Sequence, residues 1–190
     1  MVRKSDGVTT RRTFLAAAGA AVALKLWRGA EAVEAKGDAS KEVKIVQFSD
    51  AGQRGDTTTL ALVVKTEAEW KQQLSSASFE VTRHAGTERA YSGEYWDNHE
   101  KGLYRCVCCG TALFSSDTKF ESGTGWPSFW QPIAKENVRE ITDYSLGMSR
   151  TAVACRLCDA HLGHVFDDGP KPTGLRYCMN SVSLKFVKSV

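Results

Sequence analysis

The sequence predicts a mainly antiparallel β domain with a small helical layer on its N-terminal side, and three observations carry that prediction. Beyond Ala85 the apolar residues come in short runs broken by glycine, proline and aspartate: Leu113-Phe114, Ile141, Thr151–Ala154, Val165-Phe166 and Ser181–Val187. That spacing is the pattern of short strands joined by turns. Ahead of them, Thr66-Glu67-Ala68-Glu69 is a capping box that opens a helix, with Trp70 and Leu74 four apart on the face that packs against the body. Two Cys-x-x-Cys pairs, Cys106–Cys109 and Cys155–Cys158, then tie segments far apart in the chain, where a cross-link is most useful. With 190 residues, 42% hydrophobic and 25% charged, the chain has the makings of one ordinary soluble core.

Residues 1–32 read as a twin-arginine signal peptide. Thr10-Arg11-Arg12-Thr13-Phe14-Leu15 precedes an uncharged run from Phe14 to Leu24. Eleven residues fall short of the roughly 20 that span a bilayer, but suit the apolar region of a signal. Ala30-Glu31-Ala32 offers a small-x-small cleavage site, while Lys25 and Arg28 shorten the apolar region and leave an uncleaved membrane anchor open. The alternative is a disordered basic tail ending in an amphipathic helix. Export through the twin-arginine translocase, to a periplasmic or other extracytoplasmic site, is the expectation. Residues 33–42 read as a solvated linker, and residues 43–190 as the functional domain. Within it, Val43–Phe48 and Leu60–Val64 are expected as strands.

The formal charge of +3 is unevenly placed. Residues 1–32 carry six basic residues against two acids, which leaves nineteen against twenty in the remainder. A near-neutral body gives no electrostatic reason to expect nucleic acid as a partner.

The last strand is expected to run from Arg176 onward. Strict alternation would place Arg176, Cys178, Asn180, Val182, Leu184 and Phe186 on one face, and Tyr177, Met179, Ser181, Ser183 and Lys185 on the other. Cys178 would then sit at the margin of the core beside an amide and a guanidinium.

Four thiolates in two such knuckles can close a tetrahedron around one structural zinc ion, and the competing readings are two disulfides or iron–sulfur ligation. Twin-arginine export carries proteins already folded, so a metal loaded in the cytoplasm would travel within the fold. His161 and His164 follow the second knuckle; with four cysteines already available they are candidates for proton donation and thiolate stabilisation, against a plain core reading. Cys178 is either a buried inert thiol or a nucleophile whose thiolate Arg176 favours. Cys108, between two ligands, is incidental or a second redox thiol. The run Ser122–Trp130 holds aromatics on a glycine-rich, proline-fixed turn; Trp126 belongs to the core or forms an apolar wall for a thioether-like methyl group.

Four motifs in order resemble the B-type peptide-methionine (R)-S-oxide reductases. They are Tyr104-Arg105-Cys106-x-x-Cys109-Gly110, then Lys119-Phe120-x-Ser122-Gly123-x-Gly125-Trp126-Pro127-Ser128-Phe129. Ala160-His161-Leu162-Gly163-His164-Val165-Phe166 and Gly174-Leu175-Arg176-Tyr177-Cys178-x-Asn180-Ser181 complete the set. The likeness runs from about Val63 to Phe186. It implies two antiparallel sheets in a sandwich-like domain and one structural zinc per chain at Cys106, Cys109, Cys155 and Cys158. It also implies that Cys178 attacks the sulfoxide sulfur and becomes a sulfenic acid. His161, His164 and Asn180 would orient and protonate the substrate oxygen with Arg176 nearby, and Trp126, with Phe166, would shape the methyl pocket. The implied substrate is methionine (R)-sulfoxide, mainly in oxidised exported proteins or peptides, and the implied partner is a thioredoxin-like or other thiol reductant. Monomer is the default expectation.

One position departs from a common form of that family, in which a resolving cysteine precedes Gly-Trp-Pro; here Thr124 stands there. Cys108 or an external thiol must then resolve the sulfenic acid. Two rivals differ in kind. A zinc-ribbon binding module would want clustered basic residues, and a general thiol–disulfide oxidoreductase would want an exposed redox Cys-x-x-Cys.

Overall fold

The computed structural model describes residues 41–143 and 150–189, and the signal-peptide reading lies outside them. Eleven strands, two α-helices and several single 3₁₀ turns make up the described residues. The domain is mainly β, and all its strand pairs are antiparallel.

The first two strands, β1 (Glu42–Phe48) and β2 (Arg54–Ala61), form a hairpin on their own. Two sequence boundaries move here. Glu42 belongs to β1 rather than to a linker, and the strand expected at Leu60–Val64 keeps only Leu60 and Ala61. β2 instead runs back through Thr57–Thr59, polar β-branched residues that suit an exposed hairpin but escape a search for apolar runs. Past it, the Val63 amide donates to the Leu157 carbonyl at 2.8 Å, which carries the chain to the second knuckle. The hairpin is stitched to the body by Asn137, fully buried. Its side chain accepts from the Val46 amide at 2.7 Å and donates to the Val46 and Ala112 carbonyls.

Helices α1 (Glu67–Gln73) and α2 (Ser76–His84) follow. The Thr66 capping box forms as expected, and Trp70 and Leu74 are buried in the core with Phe79. Each helix reaches one knuckle: Gln73 donates to the Cys108 carbonyl at 2.6 Å, and Arg83 to the Cys158 carbonyl at 2.9 Å.

The remaining strands build two sheets. β3 (Gly102–Cys106), β4 (Ala112–Ser115) and β11 (Leu184–Lys188) form one, in the order β11-β3-β4. The other has six strands: β5 (Lys119–Phe120), β6 (Ser128–Phe129), β7 (Val138–Asp143), β8 (Arg150–Cys155), β9 (His161–Phe166) and β10 (Arg176–Met179), in the order β5-β6-β10-β9-β8-β7. Where two sheets are implied, the described residues hold three, because the β1–β2 hairpin pairs with neither larger sheet. The two larger sheets meet through aromatic rings. Phe114 of β4 stacks on Phe129 of β6 with centroids 4.5 Å apart, and Tyr104 of β3 meets Phe129 edge-on at 5.0 Å.

The long final strand does not form. β10 stops at Met179, a 3₁₀ turn occupies Ser181–Ser183, and β11 resumes at Leu184 in the other sheet. Alternation therefore does not carry past Met179. Asn180, Ser181 and Ser183 are buried through the turn, and Arg176, Tyr177 and Met179 are all buried although they point to both faces of β10. Buried residues therefore occur on both faces of β10, with only Cys178 half-buried, so alternation does not separate a wet face from a dry one.

Candidate functional site

Both knuckles are built by the same backbone geometry. β3 ends at Cys106, whose carbonyl accepts from the Gly110 amide while its own amide donates to Thr111. β8 ends at Cys155, with the matching bonds from Asp159 and to Ala160. The fifth residue of each knuckle is left-handed, Gly110 at φ 77° and Asp159 at φ 54°. Aspartate is among the few side chains that visit this region readily. Each tight turn directs both of its thiols inward, and the four sulfurs of Cys106, Cys109, Cys155 and Cys158 lie within 4.8 Å of one another.

The closest sulfur contacts are 3.6 Å for Cys106–Cys158 and 3.5 Å for Cys109–Cys155. A disulfide needs about 2.05 Å. A tetrahedron of thiolates at about 2.3 Å from a metal has edges of roughly 3.8 Å. The donor set therefore fits one metal ion, with Thr111 3.2 Å from the Cys109 sulfur as an added hydroxyl contact. Cys106, Cys155 and Cys158 are almost fully shielded from solvent. His161 and His164 are not in this group.

Cys178 stands elsewhere, on β10 in the middle of the six-stranded sheet. Its register partners are His164 on β9 and Ser128 on β6. Partners directly across antiparallel strands share a face, so thiol, imidazole and hydroxyl stand in one row. The approach of β9 to β10 here depends on Gly163, where a Cβ would lie 2.1 Å from the Cys178 carbonyl oxygen. A bulge in the β8–β9 pairing between Val153 and Ala154 lies beside His161, whose ring meets that of His164 edge-on at 5.3 Å. His161 is buried and His164 half-buried.

Arg176 lies two residues before Cys178 on the same face. Its guanidinium is clamped by both oxygens of Asp168 at 2.8 Å each, and lies over the Phe166 ring at 4.5 Å. Hydrogen bonding and charge from Arg176 hold the Asp168 carboxyl below its ordinary range, and the same bonds raise the guanidinium further. At Cys178 two effects oppose. Burial pushes the thiol up, while the charge of Arg176 and hydrogen bonds from Thr124 and Ser128 favour the thiolate; burial wins. Thr124 Oγ1 is 3.9 Å from the Cys178 sulfur.

Trp126 is half-buried, with its indole N–H donating to the Glu88 carbonyl at 3.1 Å. The Asn180 side chain is tied at both ends: its oxygen accepts from the Glu88 amide at 2.9 Å, and its nitrogen donates to the Leu162 carbonyl at 3.0 Å. Cys108 is buried in the first knuckle, between Cys106 and Cys109. The structure thus brings Cys178, His164, His161, Arg176 and Phe166 together around β9 and β10, and leaves Cys108 on the metal side. Three residues at the site were not singled out from sequence. Asp168 could have been found as a carboxylate just past the end of a strand that pairs with Arg176. Ser128 stood within the Gly-Trp-Pro-Ser motif without a role of its own, and Glu88 gives no local signal.

A buried four-cysteine corner able to hold a metal ion thus lies apart from a half-buried thiol flanked by imidazole, hydroxyl and guanidinium, an arrangement of the kind thiol chemistry uses. The SelR domain model matches residues 74–188. Peptide methionine sulfoxide reductase MsrB of Herminiimonas arsenicoxydans is 60% identical over 124 residues, covering 65% of this chain and 90% of that protein. The proteins of the same name from Hahella chejuensis, 58% identical over 124 residues, and Pseudomonas aeruginosa, 59% over 118, cover 65% and 62% of this chain and 89% of their own lengths. The chain belongs to the SelR family, together with these MsrB reductases.

Proposed function

We propose that this chain reduces the R epimer of methionine sulfoxide in proteins and peptides, with Cys178 as the nucleophile. That it is a peptide-methionine sulfoxide reductase follows from its family and from its identity to the MsrB enzymes. The observation that carries the finer reading is the row Ser128–Cys178–His164 across three strands, with Arg176 beside it.

In this scheme the Cys178 thiolate attacks the sulfoxide sulfur, and the oxygen takes a proton from the imidazole side of the site, His164 and His161. Oxygen passes to Cys178 as methionine leaves, so the thiol becomes a sulfenic acid and the sulfoxide a thioether. A reductant thiol then attacks that sulfur, forming a mixed disulfide and releasing water. A second reductant thiol displaces Cys178 and completes a two-electron cycle. Trp126 forms the wall for the substrate methyl group, helped by Phe166 under Arg176. Asn180 contributes by position, since its amide joins the end of β10 to Leu162 and Glu88.

An external thiol is the resolving agent this geometry favours over Cys108. Cys178 is half-buried and Cys108 is 5% exposed, with its contacts among the metal-side cysteines. Zinc is the metal best suited to four closed thiolates, where it would clip the knuckles together structurally. We read the aromatic contact between the two larger sheets as a sandwich, with α1 and α2 as a layer over the knuckles. Twin-arginine export of a monomer, and repair of oxidised exported proteins, complete the reading; lysines in place of Arg11 and Arg12 are expected to hold the protein in the cytoplasmic fraction.

Separate R and S sulfoxides of a methionyl peptide, with dithiothreitol as reductant, test the activity. R-only turnover that disappears in Cys178→Ser is the expected result. No turnover of either epimer by folded, metal-replete protein overturns it.

A further inference from the structure

We infer that Glu88 is a positioning residue for this pocket: its carboxylate anchors a surface segment whose backbone holds both Trp126 and Asn180. The inference rests on the reading of Cys178 and Trp126 given above. Glu88 lies in the irregular stretch between α2 and β3, far in sequence from every motif used so far.

Its four hydrogen bonds divide by type. The carboxylate accepts from the Ser181 amide at 2.7 Å through one oxygen and from the Val182 amide at 3.0 Å through the other. These are the first amides of the 3₁₀ turn that ends β10, donors that such a turn leaves without an intrahelical partner. The backbone of Glu88 does the rest. Its amide donates to Asn180 Oδ1 at 2.9 Å, and its carbonyl accepts the Trp126 indole N–H at 3.1 Å. One side chain thus fixes the place of the two peptide groups that flank Glu88, on which the strand end and the aromatic wall depend.

Two neighbours show that the arrangement is built for this. At Gly93 a Cβ would lie 2.3 Å from Ser181 Oγ and 2.5 Å from Glu88 Oε1, so the carboxylate occupies space that only glycine leaves. Three residues on from Glu88, the Tyr91 amide donates to the Gly125 carbonyl at 2.8 Å and its hydroxyl to the Gly123 carbonyl at 2.5 Å. The segment therefore holds the Gly123–Trp126 loop at three points, and the Glu88 carboxylate fastens it to the turn that follows the strand carrying Cys178.

The consequence is specific. Loss of the anchor frees Trp126 and loosens the methyl wall, while Arg176 and Ser128 stay in place beside the thiol. Substrate binding falls and thiol reactivity does not. Glu88→Ala is expected to raise KM for the R-sulfoxide peptide about tenfold, with kcat held within about threefold. Iodoacetamide should alkylate Cys178 at the wild-type rate within about twofold. Glu88→Gln, which keeps one carbonyl acceptor, should show a smaller rise in KM, and Tyr91→Phe, which removes only the hydroxyl bond to the loop, a smaller one again.

A second readout needs no turnover. Acrylamide quenching of the fluorescence component that Trp126→Phe removes should increase in Glu88→Ala and less so in Glu88→Gln. Should the alanine variant not fold, the glutamine variant decides by the same two measurements. Unchanged KM and unchanged quenching overturn the proposal, as does a fall in kcat and alkylation together. Wild-type protein inactive on both epimers, with quenching still raised in the variants, would instead overturn the catalytic reading and leave the anchor standing.

Discussion

At the four-cysteine corner, Cys106, Cys155 and Cys158 are sealed from solvent and the four sulfurs lie within 4.8 Å of one another; Cys178 is half-buried on a central strand among a hydroxyl, a guanidinium and an imidazole. The difference lies in the backbone. Two matching turns with left-handed fifth residues converge four thiols on one point. A regular strand presents a single thiol to a row of different side chains across its neighbours. Converging thiols suit a soft cation. A lone thiol beside a cation and hydrogen-bond donors has groups that favour its thiolate, in a chain where all six cysteines are free.

The comparison breaks most severely at the corner. A structural metal contributes roughly 10 kcal/mol or more in small metal-dependent domains. Cys158→Ser is therefore expected to lose both its bound metal and its cooperative melt, whereas Cys178→Ser keeps about one metal per chain and melts like the wild type. Metal analysis paired with thermal unfolding by circular dichroism reads both. Equal metal loss in the two variants would mean that the sites are not separate.

Gly163→Ala comes next, because it strikes the strand pair that presents Cys178. The added methyl meets the Cys178 carbonyl oxygen, and main chain cannot move aside as a side chain can. A cost of about 4 kcal/mol is expected, at the upper end for a single substitution. It should appear as a lower denaturation midpoint with metal content kept.

Arg176→Ala sharpens the chemical side. The guanidinium favours the Cys178 thiolate against the burial that pushes its pKa up. Removing it raises that pKa further, so less thiolate is present at neutral pH and more is recovered as pH rises. Alkylation at pH 7 should slow by about tenfold, the change for one pKa unit, and the rate profile should move to higher pH. A profile that does not move would assign thiolate stabilisation to Thr124 and Ser128 alone.

Much of this contrast was legible in the sequence, and the limits have a physical reason. Ligand spacing within a knuckle, the Thr66–Glu69 capping box and the α1 face with Trp70 and Leu74 are local patterns, encoded within a few residues. What escaped depends on partners far along the chain. Asn137 bonds Val46 across 91 positions, and Glu88 bonds Ser181 across 93. Neither leaves a periodic trace. The break at Asn180 escaped for another reason: alternation describes a strand with one wet face, and β10 has buried residues on both faces, with only Cys178 half-buried.

The smallest effect is expected from Thr66→Ala, and it tests how far the two regions are independent. Thr66 Oγ1 accepts from the Glu69 amide and the Glu69 carboxylate accepts from the Thr66 amide, so the first turn of α1 is capped reciprocally. Replacing a threonine cap costs about 1 kcal/mol, or roughly 2–4 °C in melting for a domain of this size. Helix α1 touches the first knuckle through Gln73 and the Cys108 carbonyl, so the loss falls on the metal side. Metal release to a chelator should quicken slightly, while KM and the alkylation rate of Cys178 stay at wild-type values. A change in either would show that the helices support the reactive strand as well as the knuckles, and the corner and the thiol would then be one cooperative unit.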